Sequence, residues 1–256
     1  MTEALKDKVA LITGASSGIG RTIACLFALE GASILVADYN EAEGQKTVGI
    51  IGQTGGRADF YLTDVTKGEA VRGLFDYVEN RFGGLDILVN NAGVTSAGNT
   101  LEATEENDFE RVIAVNLWGV FLGIKYGVPL LRKRGGGRII NTASVAGLIG
   151  LANSGPYAAS KAGVISMTKT AALEYVKDNI RVNCICPGYI DTPILDGIRA
   201  RPNGIAILTE RISQRQVIGR LGRAEEVAQV ALYLASGPDF MTGTVQVIDG
   251  GIMAGS

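Results

Sequence analysis

Tyr157 and Lys161 stand four residues apart in "SGPYAASKAG", Ser154–Gly163. On a helix that spacing puts both side chains on one face, one turn apart. A free phenol titrates near pH ~10, too high for a base near neutrality. An ammonium close by favours the phenolate, so Lys161 is expected to lower the Tyr157 value. The chain has no histidine, which removes the usual proton carrier near neutral pH. Tyr157 tuned by Lys161 can take a proton from an alcohol or give one to a ketone. Ser144 ends a strand-like run upstream. It is placed to hold the substrate oxygen within reach of the phenol.

A second chemistry is written near the N-terminus. "VALITGASSGIGRTIA", Val9–Ala24, reads as a strand, a glycine-rich turn and the start of a helix. Backbone N–H groups in such a turn, with the helix N-terminus behind them, suit an anion such as a pyrophosphate. Gly14, Ser17, Gly18, Ile19 and Gly20 are the residues expected to face it. The spacing is G-x-x-x-G-x-G rather than the commoner G-x-G-x-x-G. The next strand ends in Asp38. A carboxylate there accepts both hydroxyls of an adenosine ribose and repels a 2′-phosphate. Ser17, Tyr39 and Asn40 add no cation. The expectation is NAD rather than NADP.

The elements that must carry these residues follow from periodicity. Short apolar runs read as buried strands: Val9–Thr13, Ser33–Ala37, Asp86–Asn90, Arg138–Asn141, Arg181–Ile185 and Val245–Ile248, with Ala58–Leu62 weaker. Helical patterns lie between them: Ile19–Glu30, Glu41–Thr54, Lys67–Phe82, Glu105–Arg132, Pro156–Lys177 and Glu225–Ala235. Such alternation predicts an α/β fold, with a doubly wound parallel sheet covered on both faces. No linker or repeat divides the 256 residues, so one domain is expected. Gly188–Gly222 carries Pro193, Gly197, Pro202 and Gly204 and has no clear element. It reads as a substrate lid over residues 188–222.

Composition excludes several classes. The net charge of −2 without a basic run argues against nucleic acid. Cys25, Cys184 and Cys186 read as buried small residues, and without histidine no zinc set is expected. No signal-like segment and no membrane span are expected, which points to the cytoplasm.

Taken in order, "TGASSGIG" (Thr13–Gly20), "NNAG" (Asn90–Gly93), Asn116, Ser144, "YAASK" (Tyr157–Lys161) and "PGYIDT" (Pro187–Thr192) resemble the short-chain dehydrogenase/reductase family. The resemblance covers roughly Lys6 to Gly251. It implies a Rossmann-type sheet of seven parallel strands and an NAD(H)-dependent oxidoreductase. It implies that Asp64 and Val65 hold the adenine and that Asn91 and Gly93 line the adenosine side. Ile190 and Thr192 would hold the nicotinamide carboxamide, with Pro187 and Gly188 shaping the wall beside it. Lys161 would also bind the nicotinamide ribose. Asn116 would hold a water in a proton relay to Lys161. A homotetramer is implied as well.

The substrate wall is expected from Val94–Ser96, Val145, Ala146, Leu148, Ile149, Asn153 and Tyr189–Ile198, mostly apolar or small. Arg199, Arg201 and Arg211 read as solvated loop charges. A small neutral secondary alcohol or its ketone follows. Two alternatives stand beside it. One is a 3-oxoacyl-acyl-carrier reductase of the same family, against which Asp38 and the missing basic patch speak. The other is a dinucleotide sensor without catalysis, which the occupied Ser144 and Tyr157 positions oppose.

Overall fold

A computed structural model describes residues 3–200 and 203–255, apart from the side chains of Ile207 and Arg211. Strand β1 (Val9–Thr13) is buried at every position. It pairs in parallel with β2 (Ser33–Asp38) on one side and β4 (Ile87–Asn90) on the other. With β3 (Arg57–Leu62), β5 (Gly137–Thr142), β6 (Ile180–Pro187) and β7 (Val245–Ile248), the order is β3-β2-β1-β4-β5-β6-β7. All the pairings are parallel. This is the seven-stranded, single-domain Rossmann-type sheet expected from the sequence.

Side chains alternate between the two faces because the strand period is two. Leu11, Leu35, Leu88, Ile139 and Val182 point to one face. There they meet α3 (Gly68–Phe82), α5 (Gly119–Lys133) and α6 (Gly155–Tyr175). Ile12, Ile34, Val36, Val89 and Ile140 point to the other. They meet α1 (Gly18–Leu29), α2 (Glu41–Gln53) and α9 (Ala224–Ser236). Each face therefore holds its own apolar core. One polar thread crosses the first: Asn90 Nδ2 donates to Asn141 Oδ1, and Asn141 Nδ2 donates to Thr168 Oγ1, both at 2.9 Å. It links β4, β5 and α6 where burial leaves no water to satisfy these amides.

Three features differ from the sequence reading. The helix expected over Glu105–Arg132 is α4 (Glu106–Ile113), a π-helical turn (Ala114–Trp118) and α5 in series. Together, Glu106–Lys133 is long and apolar enough to cross a membrane by length and composition, contrary to the expectation of no such stretch. Half of its apolar window is buried in this fold, as befits a core helix. The span Gly188–Gly222 is not structureless. It holds a short turn (Pro193–Leu195), α7 (Asp196–Arg199) and α8 (Gly204–Arg215). Gly197, Pro202 and Gly204 interrupt the helical period there and hide it.

Candidate functional site

Strand order reverses between β1 and β4, so the loops leaving their C-terminal ends diverge and open a crevice. A cleft of about 600 Å³ lies there. Its wall includes Gly14, Ser17, Gly18, Ile19, Asp38, Asp64, Val65, Asn91, Gly93, Ser144, Tyr157, Lys161, Pro187, Gly188, Ile190 and Thr192. Gly20 and Asn116 are the two expected site residues that do not line it.

The glycine turn is bare for two separate reasons. Gly14 and Gly18 have φ of +66° and +51°, the left-handed region that glycine enters at no steric cost. Gly20 fails on space instead: a Cβ there would lie 2.2 Å from the Gly14 carbonyl oxygen. Gly20 thus sits behind the cradle, letting α1 approach the turn. Asn91 fastens the same turn, its Nδ2 donating to the carbonyls of Thr13 (3.1 Å) and Gly14 (3.2 Å). The cradle fits a dinucleotide pyrophosphate: Gly14 and Gly18 put no side chain into it and α1 begins behind it.

At the β2 end, Asp38 is buried and each carboxylate oxygen accepts one backbone N–H. Ser16 N donates to Oδ2 and Asn40 N to Oδ1, both at 3.0 Å. Those bonds fix the carboxylate at the cleft wall and leave lone pairs on both oxygens. Asp64 is exposed, and its Oδ1 accepts from the N–H and hydroxyl of Thr66. The sequence analysis passed over Glu43, which lines the cleft near Asp38 and pairs with Arg21 at 2.8 Å.

At the other end, α6 begins with Pro156 in its first turn, where a missing N–H costs nothing. Tyr157 and Lys161 follow on the face toward the cleft. Lys161 is buried, its Nζ donating to the Thr142 carbonyl at 2.7 Å. Thr142 carried no sequence signal, because its backbone makes the contact. The helix is drawn tight against the turn after β5: a Cβ at Gly147 would lie 2.6 Å from the Lys161 carbonyl carbon. That approach puts Ser144, which precedes the turn, on the same cleft wall as Tyr157, and its hydroxyl donates to the Pro187 carbonyl at 3.5 Å. Ser144 Oγ also accepts from Ala146 N at 3.2 Å.

The electrostatics correct one expectation. Lys161 does not depress the Tyr157 phenol in this structure. Burial pushes it up, and the Ser144 hydroxyl only partly offsets that. Burial also drives Lys161 down, from 10.5 to about 8. Desolvation favours the neutral form of each group, with Lys161 buried and Tyr157 half-buried at the cleft wall. The arrangement therefore presents a protonated phenol beside a lysine that titrates at about 8. Chemically it can deliver a proton to an oxygen held between Ser144 and Tyr157.

Asn116 lies in the π-helical turn and is fully buried. Its Oδ1 accepts from Val94 N (2.8 Å), while Nδ2 donates to Val94 O (2.9 Å) and Ser160 Oγ (3.1 Å). The amide thus clamps the loop after β4 to α6. A Cβ built on Gly93 would lie 3.5 Å from both Asn116 Oδ1 and Lys161 Nζ, so those two polar atoms flank that glycine.

The cleft also includes Val94, Ser96, Val145, Ile149 and Asn153, as expected, with Ile194, Leu195 and Ile198 from the span Gly188–Gly222. Of the arginines in that span, Arg199 pairs with Asp191 and Asp196. Arg201 and the Arg211 side chain lie outside the described residues. Arg215, not singled out in the sequence, lines the cleft. Among the described residues no group of three or more acidic or cysteine side chains is placed to hold a metal ion.

Comparison with known proteins places this geometry. The sequence family described as Enoyl-(Acyl carrier protein) reductase matches residues 14–253. The cyclohexanol dehydrogenase of Acinetobacter sp. (strain SE19) is 41% identical over 251 residues, 98% of this chain and 96% of that one. The 3-oxoacyl-[acyl-carrier-protein] reductase FabG of Thermotoga maritima is 41% identical over 250 residues, 97% and 99% of the two chains. The crystal structure of levodione reductase superposes with a TM-score of 0.95 at 34% identity, covering 98% of this chain and 100% of that one. The chain belongs to the short-chain dehydrogenase/reductase family of oxidoreductases.

Proposed function

We propose that this enzyme interconverts a secondary alcohol and its ketone by hydride transfer to or from NAD(H), with Tyr157 as the general acid and base. The observation that carries the reading is that Ser144, Tyr157 and Lys161 line one cleft together with the glycine cradle, with Lys161 Nζ fixed on the Thr142 carbonyl at 2.7 Å. A carbonyl oxygen held by Ser144 and Tyr157 receives the phenolic proton. The dinucleotide, when bound, supplies the hydride and, in its oxidised form, a positively charged ring beside the phenol. Lys161, anchored on Thr142, holds the ribose side and returns charge to the site. Asn116 positions the Gly93–Val94 wall and α6 relative to each other, which supports its place in a proton path to Lys161. Asp64 and Val65 take the adenine side, Asn91 and Gly93 the adenosine wall, and Pro187, Gly188, Ile190 and Thr192 the nicotinamide end. Lid residues 188–222 close over the substrate.

The fixed Asp38 carboxylate favours NADH over NADPH, because a 2′-phosphate would meet its negative charge. Uncharged side chains around the Ser144–Tyr157 end suit an uncharged reacting carbon, cyclic or otherwise. The acyl-carrier reading fits less well, since the acidic adenosine end disfavours NADPH. Exposed apolar groups on the outer helices, the Trp118–Phe121 stack and Leu173, support a homotetramer, which light scattering tests. Activity is tested by following NADH absorbance across a panel of cyclic ketones and alcohols. Turnover with none of them, or a lower KM for NADPH than for NADH, overturns the corresponding part of the reading.

A further inference from the structure

The charges lining the cleft are sorted by end. Asp38, Glu43 and Asp64 line the end beside β2 and β3, and the cations are Lys161 and Arg215. Lys161 is buried and anchored on Thr142. Arg215 closes α8 in the lid and is exposed. Among the described residues of that segment, Arg199 pairs with Asp191 and Asp196, while Arg220 and Arg223 share Glu226. Arg215 has no hydrogen-bond or ion-pair partner among the described residues.

A second unpaired donor belongs to a residue of the same wall. The Tyr189 hydroxyl is buried and has no hydrogen-bond partner, and Tyr189 lines the cleft. The two residues are tied together. Gln216, next to Arg215 and 3% exposed, accepts from Tyr189 N through Oε1 at 3.1 Å. It donates through Nε2 to Tyr189 O at 3.4 Å and to the carbonyl of Arg220. This clamp holds the end of α8 against the start of the lid. A buried hydroxyl without an acceptor is costly, and a guanidinium is a fork of donors that matches an oxyanion. Around them the lid offers Ile194, Leu195 and Ile198, which hold no negative charge.

We propose that the lid end of the cleft binds a carboxylate carried by the substrate, remote from its reacting carbon, with Arg215 as its ion partner and the Tyr189 hydroxyl as second donor. This rests on the alcohol–ketone reading above and changes its substrate: uncharged at the carbon that reacts, anionic at the far end. It departs from the wholly neutral substrate expected from the sequence, where Arg215 was not weighed. One guanidinium and one phenol match a single carboxylate rather than a doubly charged phosphate.

The test needs no turnover. Cyclohexanecarboxylate, and cyclohexanecarboxamide as its uncharged isostere, are titrated into the full chain saturated with NADH, read by nucleotide fluorescence. The nucleotide is titrated first, and NADPH replaces NADH should only NADPH bind, so failure of the NAD reading shows separately. The carboxylate is expected to bind about tenfold or more tighter than the carboxamide. Arg215→Gln should erase that difference, Arg215→Lys keep part of it, and Tyr189→Phe reduce it severalfold, with nucleotide affinity unchanged. Equal binding of the two ligands, or of neither, overturns the proposal. So does an Arg215→Gln loss shared by both ligands. A loss of nucleotide affinity in Arg215→Gln would assign the guanidinium to the cofactor phosphates instead.

Discussion

Lys161 Nζ lies 5.7 Å from the centre of the Tyr157 ring while donating to the Thr142 carbonyl at 2.7 Å. The ammonium is thus anchored by the sheet, not by the phenol. Burial therefore decides the phenol's titration and pushes it up.

Removing that hydroxyl should separate binding from chemistry. Tyr157→Phe keeps the ring and its packing on α6, so NADH titration should give an unchanged Kd. Turnover should fall by about 10²–10⁴-fold or more, the usual worth of a positioned acid. Near-normal kcat in the variant would remove Tyr157 from the mechanism.

Lys161 makes stability depend on pH. Its folded value of about 8 lies below the ordinary 10.5, so between them the unfolded chain binds more protons than the folded one. Stability from this group therefore rises with pH across that window, and the burial penalty acts in full below about pH 8. Urea unfolding at about pH 7 and about pH 9.5 should show a gain of about 2 kcal/mol in the wild type relative to Lys161→Met. Identical pH slopes in the two proteins would contradict the depressed value.

Asp38→Asn removes the charge at the adenosine end while keeping its size. NADPH should gain on NADH in kcat/KM by about tenfold or more. A modest fall in Tm should accompany it, because Ser16 and Asn40 both donate to this carboxylate. An unaltered cofactor ratio would place the discrimination elsewhere, with Glu43 the next residue to change.

Gly147→Val tests the close approach of α6. A side chain there meets the Lys161 carbonyl carbon at 2.6 Å, so the helix must retreat. Overpacking of this kind costs about 1–3 kcal/mol, read as a lower Tm. Turnover should fall as well, because Ser144 and Tyr157 are parted. Loss of Tm with full retention of kcat would show that the Ser144–Tyr157 spacing does not depend on this contact.

The sheet was readable because each strand is a short apolar run between helical periods, and Val9–Thr13 and Val245–Ile248 fall where periodicity puts them. The chemistry was readable where residue type is diagnostic, as for Tyr157, Lys161 and the glycine turn. Three kinds of feature were not. Backbone acceptors such as Thr142 O have no residue signature. The π-helical turn at Asn116 differs from an α-helix by one residue of winding, which apolar spacing does not resolve. In the span Gly188–Gly222, α7 is a single turn and α8 is one 12-residue helix that follows glycine- and proline-containing sequence, so α8 and the placement of Arg215 emerged only from the packing of Gln216. The raised phenol was missed because spacing reports neighbours, whereas burial decided the titration.

The return of β4 to the flank of β1, rather than to β3, has a consequence for how the chain matures. The phosphate turn is built from β1 and α1, yet the Asn91 amide that fastens it and the wall at Gly93 arrive only after β4, and its floor only with β5 and α6. A growing or refolding chain therefore carries half a cleft until its two halves join across the β1–β4 seam. Nucleotide that recognises both walls is a ligand of the finished sheet alone, and its binding energy is withheld from every partly assembled form. Supplied during refolding, it should favour completion over arrest at the half-sheet stage, making the cofactor a checkpoint for assembly as well as a reagent.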